Sequence, residues 1–188
     1  MINIESQLFE KINFMDTPLV PGNYEKCTFN QCDFSEVDLA DINFYECRFT
    51  GCNLSLAKFS KNTMNEVLFK DCKLVGLHFE YCNDVLFTVT FEKCQLNLSS
   101  FYRMKVKKTK FIHCMMHEVD FTETDLSSSV FQQCDLSGST FLDTNLEKAD
   151  FRTAYHYHID LESNRIKKAK FSKEGILGLL YKYDIDIE

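Results

Sequence analysis

The 188-residue sequence has no Trp, only 2 Pro and only 6 Gly. Both prolines and one glycine fall in TPLVPGNY (17–24), where an irregular coil is therefore expected. No run of 18 apolar residues occurs, which excludes a membrane-spanning helix. The opening stretch MINIESQLFEKINF contains acids and no apolar h-region, so it does not read as a secretory signal, and the chain is read as cytoplasmic. Positive charge is short: 21 Lys and Arg face 28 Asp and Glu, for a net charge of -7. That balance argues against direct nucleic-acid binding, which needs a basic surface. No CxxC pair, Gly-rich phosphate loop, nucleophile elbow or HExxH is present, so no enzyme and no cofactor are expected.

What the sequence does have is a period of five. Stepping from Ile4 through Phe9, Phe14, Leu19, Tyr24 and Phe29 lands on a large apolar residue every time, up to Phe79. The frame fails at Asp84, resumes two residues late at Leu86, and runs through Phe91 and Phe101 to Phe171, interrupted in character only at His156. Of the 18 Phe, only Phe87 lies outside it. A helix would repeat at three and four residues and a half-buried strand at two. A strict five fits a chain that turns a corner every five residues and points one large side chain inward per side. Two residues before each large one stands a small residue, and all nine Cys fall there. Side chains alternate faces along extended backbone, so this second position also points inward. The remaining positions carry nearly all the charge.

Pentapeptides such as CDFSE (32–36), VDLAD (37–41), CDLSG (134–138) and ADFRT (149–153) resemble the pentapeptide-repeat family, whose consensus is close to A(D/N)LXX. The resemblance implies an all-β fold: a right-handed quadrilateral parallel β-helix with four pentapeptides per coil. Fourfold phasing agrees. Every fourth inward residue forms a column, and one column reads Phe9, Phe29, Phe49, Phe69, Phe91, Phe111, Phe131, Phe151, Phe171. With coils about 4.8 Å apart, roughly eight of them make a rod about 40 Å long. Residues 1–171 are assigned to the β-helix, with a two-residue slip at 80–86. Residues 172–188 leave the repeat: Ser172 is placed to cap a short helix over 173–183 and DIDIE (184–188) alternates like a strand.

Three clusters have plain structural readings. The cysteines follow the repeat's own spacing, so they are expected to be buried, reduced and unliganded. In Tyr155-His156-Tyr157-His158, the frame puts His156 inward, so a core or cap-adjacent histidine is expected rather than a metal ligand. Lys105, Lys107, Lys108, Arg165, Lys167, Lys168 and Lys170 are read as a solvated, partly ion-paired face.

Charge sorted by side is more informative. The side built on Leu39, Phe59 and Phe121 carries eight acids, Asp38, Asp41, Glu80, Asp120, Glu123, Asp143, Asp160 and Glu162, against Lys58, Lys61 and Arg103. The neighbouring side through Phe34 and Leu136 is acidic too, and the other two carry excess base. The primary expectation is therefore a non-enzymatic binding protein of unassigned partner. Within the family, Qnr-type quinolone-resistance proteins and their mycobacterial relatives act as rod-shaped mimics of duplex DNA on DNA gyrase or topoisomerase IV. Rod length, acidity and the C-terminal segment are similar to theirs, whereas long inserted loops are absent. The resemblance thus implies a type II topoisomerase as the alternative partner. It also implies a homodimer through the C-terminal end, for which Ile176, Leu177, Leu180 and Tyr183 supply the apolar surface.

Overall fold

A computed structural model describes residues 2–183 together with Ile185 and Asp186. The chain winds as a four-sided parallel solenoid. On the first side, β1 (Ile2–Glu5), β3 (Gly22–Glu25), β5 (Ile42–Tyr45) and β7 (Met64–Asn65) pair in that order. On the second side, β2 (Leu8–Glu10), β4 (Thr28–Asn30), β6 (Arg48–Thr50), β8 (Val67–Lys70), β9 (Val89–Glu92), β10 (Lys110–Ile112) and β11 (Val130–Gln132) form one ladder. The third and fourth sides are joined by single parallel bridges such as Asn13↔Asp33 and Ser100↔Asp120. The register is one coil per 20 residues, as in Phe9↔Phe29 and Phe111↔Phe131, and 22 residues at Phe69↔Phe91.

The corners explain how a five-residue side closes. At almost every corner one residue, two places past the large inward one, takes a left-handed conformation. Twenty-four non-glycine residues among those described do so, with φ between 50° and 62°. Each such residue costs about 1–2 kcal/mol relative to right-handed backbone. Burying a large side chain on every side offsets it, at about 1.5–3 kcal/mol each. The Phe column stacks face to face, with centroids 4.6 Å apart for Phe29–Phe49 and 4.9 Å for Phe111–Phe131. A second column meets it edge-on, as Phe91–Phe101 does at 83°.

The small inward residues have a polar task as well. The thiols of Cys27, Cys32, Cys47, Cys52, Cys72, Cys94, Cys114 and Cys134 each point at a carbonyl of the preceding coil, 3.2–3.6 Å away. Ser99, Thr124, Ser129, Ser139 and Thr144 hydroxyls donate to the equivalent carbonyls at 2.5–2.9 Å. All nine Cys are unbridged and buried. Burial pushes the Cys47 thiol up to about 12, and burial and then the Glu80 carboxylate push Cys82 up.

The core departs from the five-residue frame in two places. Leu86 is exposed, and Phe87, the one Phe outside the frame, is buried edge-on against Phe79 at 5.8 Å. The two extra residues are taken up in a 3-10 turn at Asp84–Leu86, with the Asn83 side chain accepting from the Val85 N–H. The turn rotates the chain so that Phe87 faces inward, and the bulkier ring fills the space better than Leu86. The second correction is His156. It lies outside, with Nδ1 3.0 Å from Asp135 Oδ1, while Tyr157 drops into the core against Phe151 and Phe171. An imidazole gains hydrogen bonds at the surface that the aromatic core does not offer. At the two ends, Ile4, Phe9, Leu19, Leu161, Ile166 and Phe171 are only partly buried, because no full coil covers them. The irregularity expected over 17–24 stops short of β3, which pairs regularly with β1 and β5.

The C-terminal segment is one turn of α-helix, α1 (Leu177–Leu180), flanked by 3-10 turns at Glu174–Ile176 and Tyr181–Tyr183, rather than one regular helix. Ser172 Oγ accepts the Gly175 N–H at 3.0 Å, as a cap does. The strand expected over 184–188 lies mainly outside the described residues; Ile185 and Asp186 have no regular structure. No helix among the described residues is long and apolar enough to cross a membrane.

Candidate functional site

The fourth side, on which the sequence places its eight acids, is stacked from the pentapeptides around Leu39, Phe59, Phe79, Phe101, Phe121 and Phe141, all buried. The extended backbone points the flanking residues outward. The acids divide into three groups by their partners.

Asp38, Asp41, Asp120 and Asp143 form no ion pair among the described residues. Asp38 and Asp120 each accept the backbone N–H two residues on, at 2.9 and 2.8 Å, which fixes the carboxylates without neutralising them. Asp41 and Asp143 stand at left-handed corners. Glu123, by contrast, receives two bonds from Arg103, at 2.7 and 3.0 Å, and that guanidinium holds its carboxyl below the usual range. Asp160 and Glu162 grip Lys182 of the C-terminal segment, at 2.5 and 2.9 Å. The same ammonium holds Asp160 low, and the two acids hold Lys182 high.

Glu80 is turned largely away from water. It lies in the 3-10 turn Phe79–Tyr81, with Oε1 2.8 Å from His78 Nδ1 and Oε2 buried without a partner. Uncompensated acid is therefore concentrated at two levels of the rod, around Asp38–Asp41 and around Asp120–Asp143, with Lys58 and Lys61 between them.

The Lys182 clasp was not visible in the repeat arithmetic, because Lys182 lies past the last pentapeptide. The Arg103–Glu123 pair was legible, since the two stand 20 residues apart and hence one above the other.

At the C-terminal end, the helical segment lies where a further coil would. Gly178 accepts the Ile159 N–H at 3.0 Å, the bond a stacked coil would make. Tyr181 stacks on His158 at 4.6 Å, and Tyr183 Oη contacts Glu162 at 3.3 Å. Leu179 is turned in and buried. Of the residues expected at a dimer contact, Ile176, Leu177 and Tyr183 are exposed and Leu180 is half-buried.

The lysine face is partly paired: Lys105 with Asp84 at 3.4 Å, Lys107 with Asp125 at 3.1 Å and Lys170 with Asp150 at 3.9 Å. Arg165, Lys167 and Lys168 have no ion-pair partner among the described residues. No group of three His, Cys, Asp or Glu among the described residues is placed to hold a metal ion.

A family model described as the pentapeptide repeat region matches residues 22–101 and 104–179. No curated protein matches the sequence. Among solved structures, the fold is similar to full-length QnrB1, a plasmid-mediated fluoroquinolone resistance protein. The TM-score is 0.56 at 16% identity, over 97% of this chain and 100% of that one. A trypsin-treated variant of QnrB1 gives 0.59 at 17% identity, over 100% of this chain and 92% of that one. HetL, a pentapeptide repeat protein involved in heterocyst differentiation regulation in the cyanobacterium Nostoc sp. strain PCC 7120, gives 0.49 at 16% identity, over 93% and 90%. At these identities the likeness is one of fold.

Proposed function

The chain belongs to the pentapeptide-repeat family, and from that membership we propose that it is a non-enzymatic, cytoplasmic interaction module whose rod presents its acidic fourth side to a protein partner. The observation that carries this reading is the set Asp38, Asp41, Asp120 and Asp143, which stand unpaired by cations on one side of a rigid scaffold. These acids stand at two levels of the rod, roughly 19 Å apart, and charge fixed at set places creates a directional field that steers a basic partner. Duplex DNA likewise presents fixed negative charge along a rod, at closer spacing. A surface built to receive DNA, such as that of a type II topoisomerase, is the partner this field suits, and the fold shared with QnrB1 makes it the first to test.

Purified protein titrated into a gyrase or topoisomerase IV supercoiling reaction, with and without a fluoroquinolone, tests this. The reading expects a salt-sensitive effect that competes with duplex DNA and disappears when Asp120, Glu123 and Asp143 are changed to Lys. No effect over a wide concentration range retires the topoisomerase and leaves a binding module with another partner.

The second proposed contact is a homodimer through the C-terminal end, formed by Ile176, Leu177, Leu180 and Tyr183. A two-fold contact between rod ends would cover these apolar side chains. Deleting 173–188 is expected to give monomer or aggregate in sedimentation. Leu177→Glu, which leaves the cap in place, is expected to give folded monomer. A clean dimer from both refutes the contact.

A further inference from the structure

The corner between the third and fourth sides departs from every other corner. Of the twenty-four non-glycine residues in left-handed conformation, only Leu56 (φ 58°) and Leu98 (φ 60°) are apolar; the rest are charged or polar. Both leucines belong to this one corner, and Gly76 (φ 66°) stands between them. The three are stacked by corner-to-corner bonds, Leu56 N–H to the Val75 carbonyl, Gly76 N–H to Asn97 and Leu98 N–H to His117, each 2.9 Å.

Leu56 and Leu98 are 55% and 56% exposed, so neither is there to fill the core. Leu56 leans over Gly76: a Cβ at 76 would sit 2.7 Å from Leu56 Cδ2, so the glycine makes room for the leucine. Beside them is a hollow of about 450 Å³ lined by Leu56, Lys58, Phe59, Gly76, His78 and Tyr81, with Leu98 outside its lining. Tyr81 adds a ring that is 60% exposed.

Charge frames this patch at both ends. The corner reads Glu36, Leu56, Gly76, Leu98, Glu118 in consecutive coils, with Glu36 and Glu118 exposed. Beside it, the next column runs Asp38, Lys58, His78, Ser100, Asp120 over the same coils, with one lysine inside the span. None of these four acids has an ion-pair partner among the described residues. Four coil steps separate the two acidic pairs, roughly 19 Å. Strained, exposed leucines at positions where polar residues are the rule point to a use outside the fold.

We propose that this corner is a docking groove for a protein segment with an apolar centre and basic residues on both sides. One aliphatic or aromatic side chain of the segment enters the hollow beside Leu56 and Tyr81, and the segment then runs along the corner over Leu98. The flanking cations reach Glu36 with Asp38 at one end and Glu118 with Asp120 at the other. An extended segment of about six residues spans that distance at about 3.3 Å per residue. The charge frame favours a basic segment over nucleic acid, which the four carboxylates would repel, and over an anionic bilayer for the same reason. The inference shares Asp38 and Asp120 with the reading above but not its partner, because its apolar centre rests on Leu56, Gly76 and Leu98.

Fluorescein-labelled peptides of the form Arg-Arg-X-X-X-X-Arg-Arg, with Leu, Phe or Trp at the centre, test it by anisotropy on the full chain; no topoisomerase is present, so the result is separate from the supercoiling assay. Saturable binding is expected, about tenfold weaker when the centre is Ser, and about tenfold weaker for Leu56→Asn and for Leu98→Asn. Asn accepts the left-handed conformation more readily than Leu, so these variants are expected to melt at the same temperature as the parent or higher. Glu36→Gln with Glu118→Gln is expected to weaken binding severalfold and flatten its salt dependence. Four outcomes overturn the proposal: no saturable binding by any peptide, equal binding of the Ser-centred peptide, binding unchanged in the Asn variants, or a clear drop in their melting temperature. Competition by duplex DNA or by anionic vesicles for the same leucines overturns the assignment to a basic protein segment.

Discussion

Before residue 80 the chain lays strands on two adjoining sides; beyond residue 88, among the described residues, only the second side carries them, as β9, β10 and β11. The interior changes at the same level. In the earlier coils the small inward positions hold Cys27, Cys32, Val37, Ile42, Cys47, Cys52 and Ala57; in the later ones they include Ser99, Thr109, Thr124, Ser129, Ser139 and Thr144. Thiol and hydroxyl aim at the same carbonyl of the preceding coil, but the hydroxyl bonds are 2.5–2.9 Å against 3.2–3.6 Å for sulfur. The earlier half thus relies more on apolar area and strand pairing at this slot, and the later half more on buried hydrogen bonds. What the two share is the Phe column, which passes through both and is widest, at 5.7 Å, at the junction Phe69–Phe91.

The largest expected effect breaks that shared column. Phe131 stacks at 4.9 and 4.6 Å on its neighbours between regular coils, so Phe131→Ala leaves a cavity with rigid backbone on both sides. A cost of about 3–5 kcal/mol is expected, toward the upper end. Phe91→Ala is expected in the same range but lower, because the insertion beside it gives the chain room to settle. Urea unfolding of the two variants checks this. A smaller loss for Phe131 than for Phe91, or a loss below about 1 kcal/mol for either, breaks the picture of a continuous column.

A second pair of variants sharpens the contrast in small residues. Ser129 is fully buried and donates to the Val106 carbonyl at 2.9 Å. Ser129→Ala leaves that carbonyl without this partner, at a cost of about 1–3 kcal/mol. Cys134→Ser is expected to change stability by less than about 1 kcal/mol, since a hydroxyl at the same slot still reaches the Phe111 carbonyl, now 3.3 Å from the sulfur. Equal losses from the two would mean that volume, not donation, decides the slot.

The columns, the small inward residues and the coil length were legible in the sequence because a solenoid repeats one environment, so a period alone specifies it. The exceptions lie where the repeat says nothing. A two-residue insertion has several ways to loop, and periodicity did not distinguish Leu86 from Phe87. His156 kept the frame by position but not by chemistry: its partners Asp135 and Ser137 belong to the coil before. Lys182 follows the last pentapeptide, so its hold on Asp160 and Glu162 had no phase to be read from. Leu56 and Leu98 are apolar at left-handed corners that otherwise hold charged or polar residues and glycine, but the period gave them no role. Their significance needed the hollow beside Leu56 and the acids at each end.

The smallest expected effect separates the two halves by pH. Asp33 and Asp135 occupy one column on the third side, in the earlier and later coils. Asp33 Oδ1 accepts from Ser35 N–H and Oγ–H, at 2.9 and 2.7 Å, and from Asn53 at 3.3 Å. Asp135 has the same serine contacts, from Ser137 at 3.2 and 2.6 Å, but two imidazoles in addition: His156 Nδ1 and His117 Nε2, each 3.0 Å away. Partial burial works against the Asp135 charge, and the bonds from Ser137, His117 and His156 outweigh it, holding the carboxyl at about 2. An unfolded aspartate titrates near about 3.9. A folded carboxyl held below that value contributes stability that is fully present above about pH 4 and is lost as pH falls through the folded value. The parent protein is therefore expected to lose melting temperature between about pH 4 and pH 2, and Asp135→Asn to lose less over the same interval. His117→Gln with His156→Gln should reproduce part of that flattening, because the imidazoles supply part of the hold. Asp33→Asn serves as the control without imidazole neighbours. A pH profile for Asp135→Asn that parallels the parent down to pH 2 would show that the imidazole contacts do not distinguish the later coils from the earlier ones.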